Sequence, residues 1–373
     1  MRILVTGFTA NPGGVENLIM NYYRRMQALD PGLVMEFLGT TKHPAYEREI
    51  LERGGVIHVV PSPSHMDAWK KICDFFRLHA GDYDLIWANK CDLFNIDYLK
   101  AAKKYGIRIR IIHSHNSCNM YSGLRKWMVS AGHWMNRRLI ERYATNYWAC
   151  SDLAARWMFP DNILQDRKVR YIPNAVRVSD FSFSRSARCS VRESLQIREE
   201  ETELVVGYVG RLTKQKNPFF ALEVFAHICK VKKAVLLAVG EGELREAVER
   251  YARQLCCADN VLFLGQRSDV NRLMQAMDCL LLPSLFEGLP VAAVEAQAAG
   301  LPVFAASDGI SVQTCLTDHV HLLPLSAGAK WWAEYIVNAD CSRYRGMEQI
   351  REKGFDMEVA AEKMLDTLHR IIK

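Results

Sequence analysis

The chain of 373 residues is 49% hydrophobic and 24% charged, and it carries a formal net charge of +6 at pH 7. No apolar run approaches the roughly 20 residues that a membrane-spanning helix needs, and the first residues lack the apolar core and cleavage site of a signal peptide. The eleven cysteines show no CxxC spacing, which argues against a metal or disulfide framework, so we expect a soluble cytoplasmic protein with reduced thiols.

Apolar runs typical of buried strands recur along the chain. In chain order they are residues 3–6, 56–60, 85–88, 107–112, 147–149, 204–209, 234–239, 261–264, 279–282 and 302–305. Helical segments lie between most of them, for example residues 18–29, 68–78, 124–143, 219–230 and 273–277. Continuous apolar strands that alternate with helices indicate parallel sheets covered on both faces, so we expect an α/β fold.

The alternation restarts once, after a polar stretch that precedes residue 204. A chain of this length suits two domains, and we therefore expect two Rossmann-like domains linked near residues 175–185. The last predicted helix, residues 357–373, is amphipathic and no strand follows it. We expect this helix to pack on a domain that is already formed.

The positive charge is concentrated in the first half of the chain. Residues 1–180 contain 25 Lys and Arg against 17 Asp and Glu, a net charge of +8, whereas the remainder contains 23 against 25, a net charge of −2. This asymmetry indicates an anionic partner for the first half, which could be a nucleic acid, a membrane surface or a phosphorylated acceptor.

Ligands of open parallel sheets bind at the carboxyl ends of the strands. Gly13 and Gly14 follow the first predicted strand, and paired glycines let backbone N–H groups approach an anion at a helix start. A plain glycine turn explains the pair equally well. The spacing matches neither GxGxxG nor GxxxxGK, so neither a dinucleotide fold nor a P-loop is supported.

Two cations follow the predicted strand at 204–209. Arg211 and Lys216 lie at its carboxyl end beside a helix start, where they could neutralise a diphosphate. Taken alone, the segment is explained more simply as a solvated basic loop.

The segment before a predicted helix at 291–299 has a stronger signal. Pro290 suits the first helical position, which would bring the backbone N–H groups of Gly288 and Leu289 to the positive end of the helix dipole. Glu295 is the only charged residue of that helix. A carboxylate on a buried helix needs hydrogen-bonding partners, and ligand hydroxyls would provide them.

Two histidines, His113 and His115, lie at the end of the predicted strand at 107–112. His115 can donate a hydrogen bond to a ligand at this end of the sheet. A metal site on His113 and His115 lacks a third ligand nearby, and a structural role is an equal alternative for each histidine.

Together these residues resemble the retaining family 4 glycosyltransferases, which have the two-domain GT-B fold. The most specific element is the pair Glu287 and Glu295, eight residues apart in PSLFEGLPVAAVEAQAAGLPV. Supporting motifs are GGVE at 13–16, ACSD at 149–152, IPN at 172–174, VGRLTKQKNP at 209–218, VGEGELR at 239–245 and FLGQRSDV at 263–270. IHSHN and SDGISVQTCLTD look like the subgroup found in bacterial capsule and exopolysaccharide clusters. One departure is PNAVR at 173–177, where the family reads close to PNGID.

The resemblance implies a role for each candidate residue. The implied catalytic roles are leaving-group stabilisation by Arg211 and Lys216, binding of the transferred sugar by Glu287, and a contact near the reacting carbon by His115. The implied donor-binding roles are phosphate contacts by Gly14, Gly288 and Leu289, ribose binding by Glu295, and a base pocket lined by Gln266 and Arg267. No metal or other cofactor is implied.

The resemblance also implies an architecture and a reaction. An acceptor-binding domain of residues 1–178, completed by a crossover helix at 355–373, would face a donor-binding domain of residues 179–354 across a cleft. The reaction would transfer a hexose or N-acetylhexosamine from a UDP-sugar to a glycan or polyprenyl-diphosphate-linked acceptor, with no role for nucleic acid. Alternatives are a nucleotide-sugar 2-epimerase of the same fold and a non-catalytic nucleotide-sugar binding protein.

One motif of the other main glycosyltransferase fold is also present. Asp82-Tyr83-Asp84 matches the loose DxD that binds a metal–diphosphate there. Because it precedes the predicted strand at 85–88, it falls at the amino end of the sheet, away from the ligand side. We interpret it as a polar loop.

The segment 124–142 mixes cations with large apolar residues. Its cations are Arg125, Lys126, Arg137, Arg138 and Arg142, and its interleaved apolar residues are Trp127, Met128, Trp134 and Met135. Such a helix can lie on an anionic membrane surface, which would make the protein peripheral at the inner face of the plasma membrane. The simpler alternative is that the tryptophans and methionines pack inward and the cations are solvated.

Overall fold

The computed structural model describes residues 1–62, 65–121, 123–166 and 168–373. Two compact units, each built on its own parallel sheet, make up the chain: Met1–Asn174 together with Met357–Lys373, and Ala175–Asp356. We refer to them as the first unit and the second unit. The predicted fold class, an α/β protein with two Rossmann-like domains, is confirmed.

The first unit contains a seven-stranded sheet in the order β3-β2-β1-β4-β5-β6-β7. Its strands are β1 (Arg2–Thr6), β2 (Val34–Gly39), β3 (Ile57–Val59), β4 (Leu85–Lys90), β5 (Ile109–Ser114), β6 (Asn146–Ala149) and β7 (Val169–Tyr171). All of the pairings are parallel. The strand order reverses between β1 and β4, which is where ligands of such sheets bind.

Helices connect these strands and cover the sheet. They are α1 (Gly14–Leu29), α2 (Glu47–Glu52), α3 (Ala68–His79), α4 (Asp97–Lys104), α5 (Gly123–Leu139), α6 (Asp152–Met158) and α7 (Asp161–Gln165). In α1 the residues Leu18, Ile19, Tyr22, Tyr23 and Met26 are almost fully buried. Their spacing of three and one gives the helix one apolar face, which packs against the sheet.

The second unit contains a six-stranded parallel sheet in the order β10-β9-β8-β11-β12-β13. Its strands are β8 (Leu204–Val209), β9 (Ala234–Val239), β10 (Val261–Gly265), β11 (Cys279–Leu282), β12 (Val303–Ala306) and β13 (Val320–Leu323). Its helices are α8 (Arg185–Ser194), α9 (Pro218–Ile228), α10 (Arg245–Gln254), α11 (Val270–Ala276), α12 (Val291–Ala298), α13 (Gly328–Asn338) and α14 (Met347–Glu352). Its core includes the buried rings of Phe225, Phe304 and Trp332.

The last helix, α15 (Met357–Ile372), packs on the first unit after the chain has completed the second. It buries Met364 and Leu368, and Arg170 Nη1 donates to Thr367 Oγ1 at 2.6 Å. Helix α15 thus supplies part of the core of a unit that begins more than 350 residues earlier.

The ten predicted strands all fall on observed strands, and β2, β7 and β13 were missed. Each missed strand is short or carries a polar residue, such as Glu36 in β2 and His321 in β13. Among the described residues no helix is both long enough and apolar enough to cross a membrane. All eleven cysteines are free thiols.

Candidate functional site

Three loops at the carboxyl ends of the second unit's strands are bonded to one another. The backbone N–H of Leu285 donates to the carbonyl of Gln215 at 2.8 Å, and that of Glu287 donates to the carbonyl of Gly309 at 2.8 Å. A Cβ on Gly309 would lie 2.2 Å from the carbonyl oxygen of Leu285, so this approach requires glycine. The loops after β8, β11 and β12 therefore form one continuous surface of this unit.

A buried ion pair joins two of these loops. Lys216 Nζ lies 2.5 Å from Glu287 Oε1, and the two side chains are only 16% and 8% exposed. Gln215 Nε2 donates to the Phe286 carbonyl at 3.0 Å, which stabilises the backbone beside the pair. Two predicted site residues from distant parts of the sequence are thus in direct contact.

Two buried hydroxyls on the same loops lack a hydrogen-bond partner among the described residues. They are Thr213 Oγ1 and Ser284 Oγ. Buried hydroxyls in folded proteins are nearly always hydrogen-bonded, so these atoms are candidates for contact with a ligand. Sequence analysis missed both, because a serine or threonine in a loop carries no distinguishing signal.

Glu295 lies on α12, the helix that follows the loop after β11. Its side chain is half-buried, and its carboxyl group forms no hydrogen bond or ion pair with any described residue. Burial raises the pKa of this carboxyl group to about 7, because burial disfavours the charged form. A carboxyl group in this state can accept hydrogen bonds from ligand hydroxyls without first losing a protein partner.

The start of α12 differs from the prediction. Pro290 is the N-cap residue, with ψ of 115°, and the helix begins at Val291, so the prediction of Pro290 as the first helical residue is wrong by one position. The ring of proline restricts φ but leaves ψ free to be extended. Gly288 and Leu289 are buried and lie just outside the first turn.

The remaining predicted site residues of the second unit lie on its surface. Arg211 and Gln266 are exposed. Arg267 forms two bonds of 2.7 Å with Asp269, so its guanidinium group is held by a neighbouring carboxylate. No hydrogen bond or ion pair in the described chain connects these side chains to the buried ion pair.

In the first unit, the start of α1 is stabilised by its own glutamate. Glu16 accepts from the backbone N–H groups of Thr9 at 3.0 Å and Gly13 at 3.1 Å, and from Thr9 Oγ1 at 2.7 Å. Gly14 is exposed, and a Cβ built on it would meet nothing within 4 Å. Glu16 was not assigned a role from the sequence, although a glutamate at the third helical position is a known capping signal.

His115 lies at the carboxyl end of β5, next to β4. Its Nε2 is 2.8 Å from Asn89 Oδ1, and its backbone N–H donates to the Lys90 carbonyl at 3.0 Å. The ring of His113 is fully buried, 4.0 Å from that of His115 between centroids. Burial lowers the pKa of His115 to about 3, so the ring is neutral at physiological pH. Asn89 was missed by sequence analysis.

The DxD motif has structural contacts at the amino end of the sheet. Asp84 Oδ2 accepts from the backbone N–H of Arg2 at 2.8 Å, and Tyr83 Oη donates to Glu36 at 2.8 Å. The motif precedes β4, and its contacts agree with its interpretation as a polar loop. No group of three or more His, Cys, Asp or Glu side chains in the described parts of the chain is arranged to hold a metal ion.

Helix α5 exposes most of its large apolar residues. The exposed fractions are 85% for Leu124, 77% for Trp127, 63% for Met128, 60% for Met135 and 48% for Trp134. The alternative that these tryptophans and methionines pack inward is therefore wrong. The inward face of α5 consists instead of Val129, His133 and Asn136.

The cations of this segment do not all have the same environment. Arg137 donates to the carbonyls of Arg156 and Phe159, which fixes α5 to the end of α6 and the residue after it. Arg125, Arg138 and Arg142 are exposed. Arg137 is therefore structural, and the other cations are available to an anionic surface.

Known proteins resemble this chain in both sequence and fold. A model of the family "Glycosyl transferases group 1" matches residues 192–320. EpsF of Bacillus subtilis (strain 168), described as a glycosyltransferase, is 31% identical over 358 residues, which cover 94% of this chain and 91% of EpsF. The Escherichia coli UDP-Gal:alpha-D-GlcNAc-diphosphoundecaprenol alpha-1,3-galactosyltransferase is 32% identical over 153 residues, 40% of this chain and 38% of that enzyme. Anabaena HepE, solved in complex with UDP-glucose, has a TM-score of 0.79 at 20% identity, covering 99% of this chain and 100% of that chain.

Proposed function

The chain belongs to the group 1 glycosyl transferases, and we propose that it moves a hexose or N-acetylhexosamine from a UDP-sugar to a glycan or lipid-linked glycan with retention of anomeric configuration. The second unit would bind the donor and the first unit the acceptor. The relatives support a uridine nucleotide, since HepE is solved with UDP-glucose and the E. coli relative is named for UDP-Gal.

The observation that carries this proposal is the state of three side chains in the second unit. Glu295 has a raised pKa and no hydrogen-bond partner in the part of the chain that the structure describes, and it lies eight residues after Glu287, which is paired with Lys216. Buried polar groups without partners are unfavourable in an empty protein and become favourable when a polyhydroxylated ligand supplies the missing bonds. A ribose and a sugar would do so.

The chemical step follows from the charges that have to be stabilised. Cleavage of the sugar–phosphate bond places positive charge on the anomeric carbon and negative charge on the departing diphosphate. Arg211 and Lys216 would neutralise that diphosphate, with the start of α12 nearby. Retention then requires the acceptor to attack from the face that the nucleotide leaves, and a phosphate oxygen of the leaving group can take the acceptor's proton.

Product analysis tests the proposed reaction. The protein is incubated with UDP-glucose, UDP-galactose and their N-acetylhexosamine counterparts together with candidate acceptors, and the products are identified by mass spectrometry and proton NMR. A glycoside with the donor's anomeric configuration supports the proposal. A free, epimerised nucleotide sugar would favour the 2-epimerase, and binding without turnover would favour a non-catalytic protein.

Donor binding is tested separately with a matched pair of variants. Glu295→Gln should weaken UDP-sugar binding in calorimetry, whereas Glu246→Gln, at a side chain that is 90% exposed on α10, should not. Equal affinities of both variants and the wild type would contradict the ribose assignment.

We further propose that the enzyme works at the cytoplasmic face of the plasma membrane, on a polyprenyl-diphosphate-linked acceptor of cell-surface polysaccharide synthesis. The exposed Trp127 and Met128 beside Arg125 and Lys126 match an anionic lipid surface in both polarity and charge. The net charge of +8 on residues 1–180 adds long-range attraction.

Liposome flotation tests the membrane contact. The wild type should float with vesicles that contain about 30% anionic lipid. A smaller fraction of the protein should float at high salt, because salt screens the attraction between the cations and the lipid. Trp127→Ser with Met128→Ser should abolish flotation, whereas Trp69→Ser, at a 43% exposed tryptophan on α3, should not. If the two variants float to the same extent, α5 is not the membrane contact.

A further inference from the structure

A chain of hydrogen bonds fixes the orientation of the Asn89 amide. Its Nδ2 donates to the backbone carbonyls of Thr6 at 3.2 Å and Trp87 at 3.3 Å. Carbonyl oxygens only accept, so the amide nitrogen has to face them, and Oδ1 points the other way. Asn89 is 2% exposed, which leaves little access for water to replace either bond.

The orientation of this amide determines which nitrogen of His115 carries hydrogen. Asn89 Oδ1, which can only accept, lies 2.8 Å from His115 Nε2, so Nε2 has to be the protonated nitrogen. Because burial keeps the ring neutral, Nδ1 then bears a lone pair. No described residue forms a hydrogen bond with Nδ1.

We propose that Asn89 is a positioning residue that makes His115 Nδ1 an obligate hydrogen-bond acceptor for a hydroxyl group of the donor sugar. This rests on the proposed function, from which the contact between His115 and the sugar comes. The direction of the bond is the reverse of the donation expected from the sequence. A hydroxyl can donate to Nδ1, whereas an ether, fluorine or unprotonated phosphate oxygen would meet its lone pair.

Two other titratable groups lie on the strands that carry His115 and Asn89. His113 lies against it on β5, and both of its ring nitrogens lack partners among the described residues. Burial lowers the pKa of His113 well below its ordinary value and also lowers that of Lys90 on β4. The neutral state of the His115 ring therefore follows from its own burial, and the Asn89 contact decides its tautomer.

NMR reads the tautomer directly and does not depend on activity. Long-range proton–nitrogen correlations of protein labelled with ¹⁵N-histidine, assigned with His115→Gln, should show Nε2–H and an unprotonated Nδ1 from pH 5.5 to 8. A ring protonated at Nδ1 in this range would overturn the proposal, whatever reaction the protein catalyses.

Ligand titrations test the hydroxyl contact. Addition of UDP-glucose should move the Nδ1 resonance toward that of a hydrogen-bonded nitrogen, whereas UDP alone should not. Among UDP-glucose analogues lacking one hydroxyl each, one should fail to cause this shift and should bind about tenfold or more weakly. If UDP-glucose binds but no analogue differs, the hydroxyl contact is wrong. If neither UDP nor UDP-sugars bind, the donor assignment fails while the tautomer result still holds.

Variants test the positioning role. Asn89→Asp retains an acceptor for Nε2 but adds a charge that stabilises the imidazolium form, so the pKa of His115 should rise. Donor affinity should then show an additional fall as pH decreases through the raised value. The wild type and Asn162→Asp, at an exposed asparagine on α7, should show only the pH dependence that Glu295 gives. Matching pH profiles for folded Asn89→Asp and the wild type would contradict the role, and the wild-type NMR result decides if the variant does not fold.

Discussion

Donor affinity should depend on pH through Glu295, because burial raises the pKa of its carboxyl group from the ordinary value of 4.5 to about 7. At about 1.4 kcal/mol per pKa unit, this difference corresponds to at most about 3.5 kcal/mol of unfavourable free energy for the ionised form in the folded protein. The folded state binds more protons than the unfolded state between these two values. The contribution of Glu295 to stability therefore falls as pH rises from 4.5 to 7.

Ligand hydroxyls favour the ionised form, so binding should require the carboxylate. With a pKa of about 7, roughly a tenth of the protein is ionised at this position at pH 6 and roughly nine tenths at pH 8. The apparent dissociation constant for a UDP-sugar should consequently be about tenfold higher at pH 6 than at pH 8. A UDP-sugar is a better ligand than UDP for this titration, because its diphosphate is a diester and loses no proton between pH 6 and 8.

Calorimetry at both pH values, in buffers of different ionisation enthalpy, measures the affinity and the proton released. Glu295→Gln should remove the pH dependence, weaken binding at pH 8 by roughly 1–3 kcal/mol and leave the melting temperature at pH 8 equal or higher. A wild-type affinity that does not change between pH 6 and 8 would refute the assignment. Persistence of the full pH dependence in Glu295→Gln would refute it as well.

Three further perturbations have distinct expected outcomes. Lys216→Ala leaves Glu287 charged and buried and should destabilise the second unit by about 3 kcal/mol in thermal unfolding. Arg211→Ala, at an exposed side chain, should change stability by less than about 0.5 kcal/mol. Both variants should reduce turnover, and normal turnover in either one would show that the residue is not needed for catalysis. EDTA should leave turnover unchanged, since two cationic side chains are proposed to neutralise the diphosphate; loss of activity that a divalent ion restores would show the contrary. Glu16→Ala removes three hydrogen bonds at the start of α1 and should lower stability by about 1–2 kcal/mol, and an unchanged melting temperature would show that the cap is dispensable.

The sheets could be predicted from the sequence because strands that are buried on both faces are continuously apolar. Strand β2 could not, because Glu36 interrupts its apolar run. In the fold the Glu36 carboxylate forms hydrogen bonds with His58 at 2.7 Å and with Tyr83 at 2.8 Å, partners that lie 22 and 47 residues away. A pattern of neighbouring residues contains no information on such a contact.

The candidate site was predictable only in part, for the same reason. Lys216 was singled out by its position at a strand end and Glu287 by the family motif, but their pairing depends on how two loops meet in space. Asn89 gave no signal at all, because its importance comes from two backbone carbonyls and a histidine 26 residues away. Thus the motif predicts where ligands bind, and tertiary contacts determine the chemical state of the groups that meet them.

The return of α15 to the first unit bears on the order in which the chain folds during translation. The second unit, Ala175–Asp356, can leave the ribosome and fold while the first still lacks the helix that covers α1. Until α15 emerges, the surfaces that later hold Met364 and Leu368, and the Arg25 that pairs with Glu358 at 2.5 Å, remain open to other chains. The half of the protein that is synthesised first is therefore completed last. We expect a chaperone to shield the exposed apolar surface of the first unit during the time before α15 emerges.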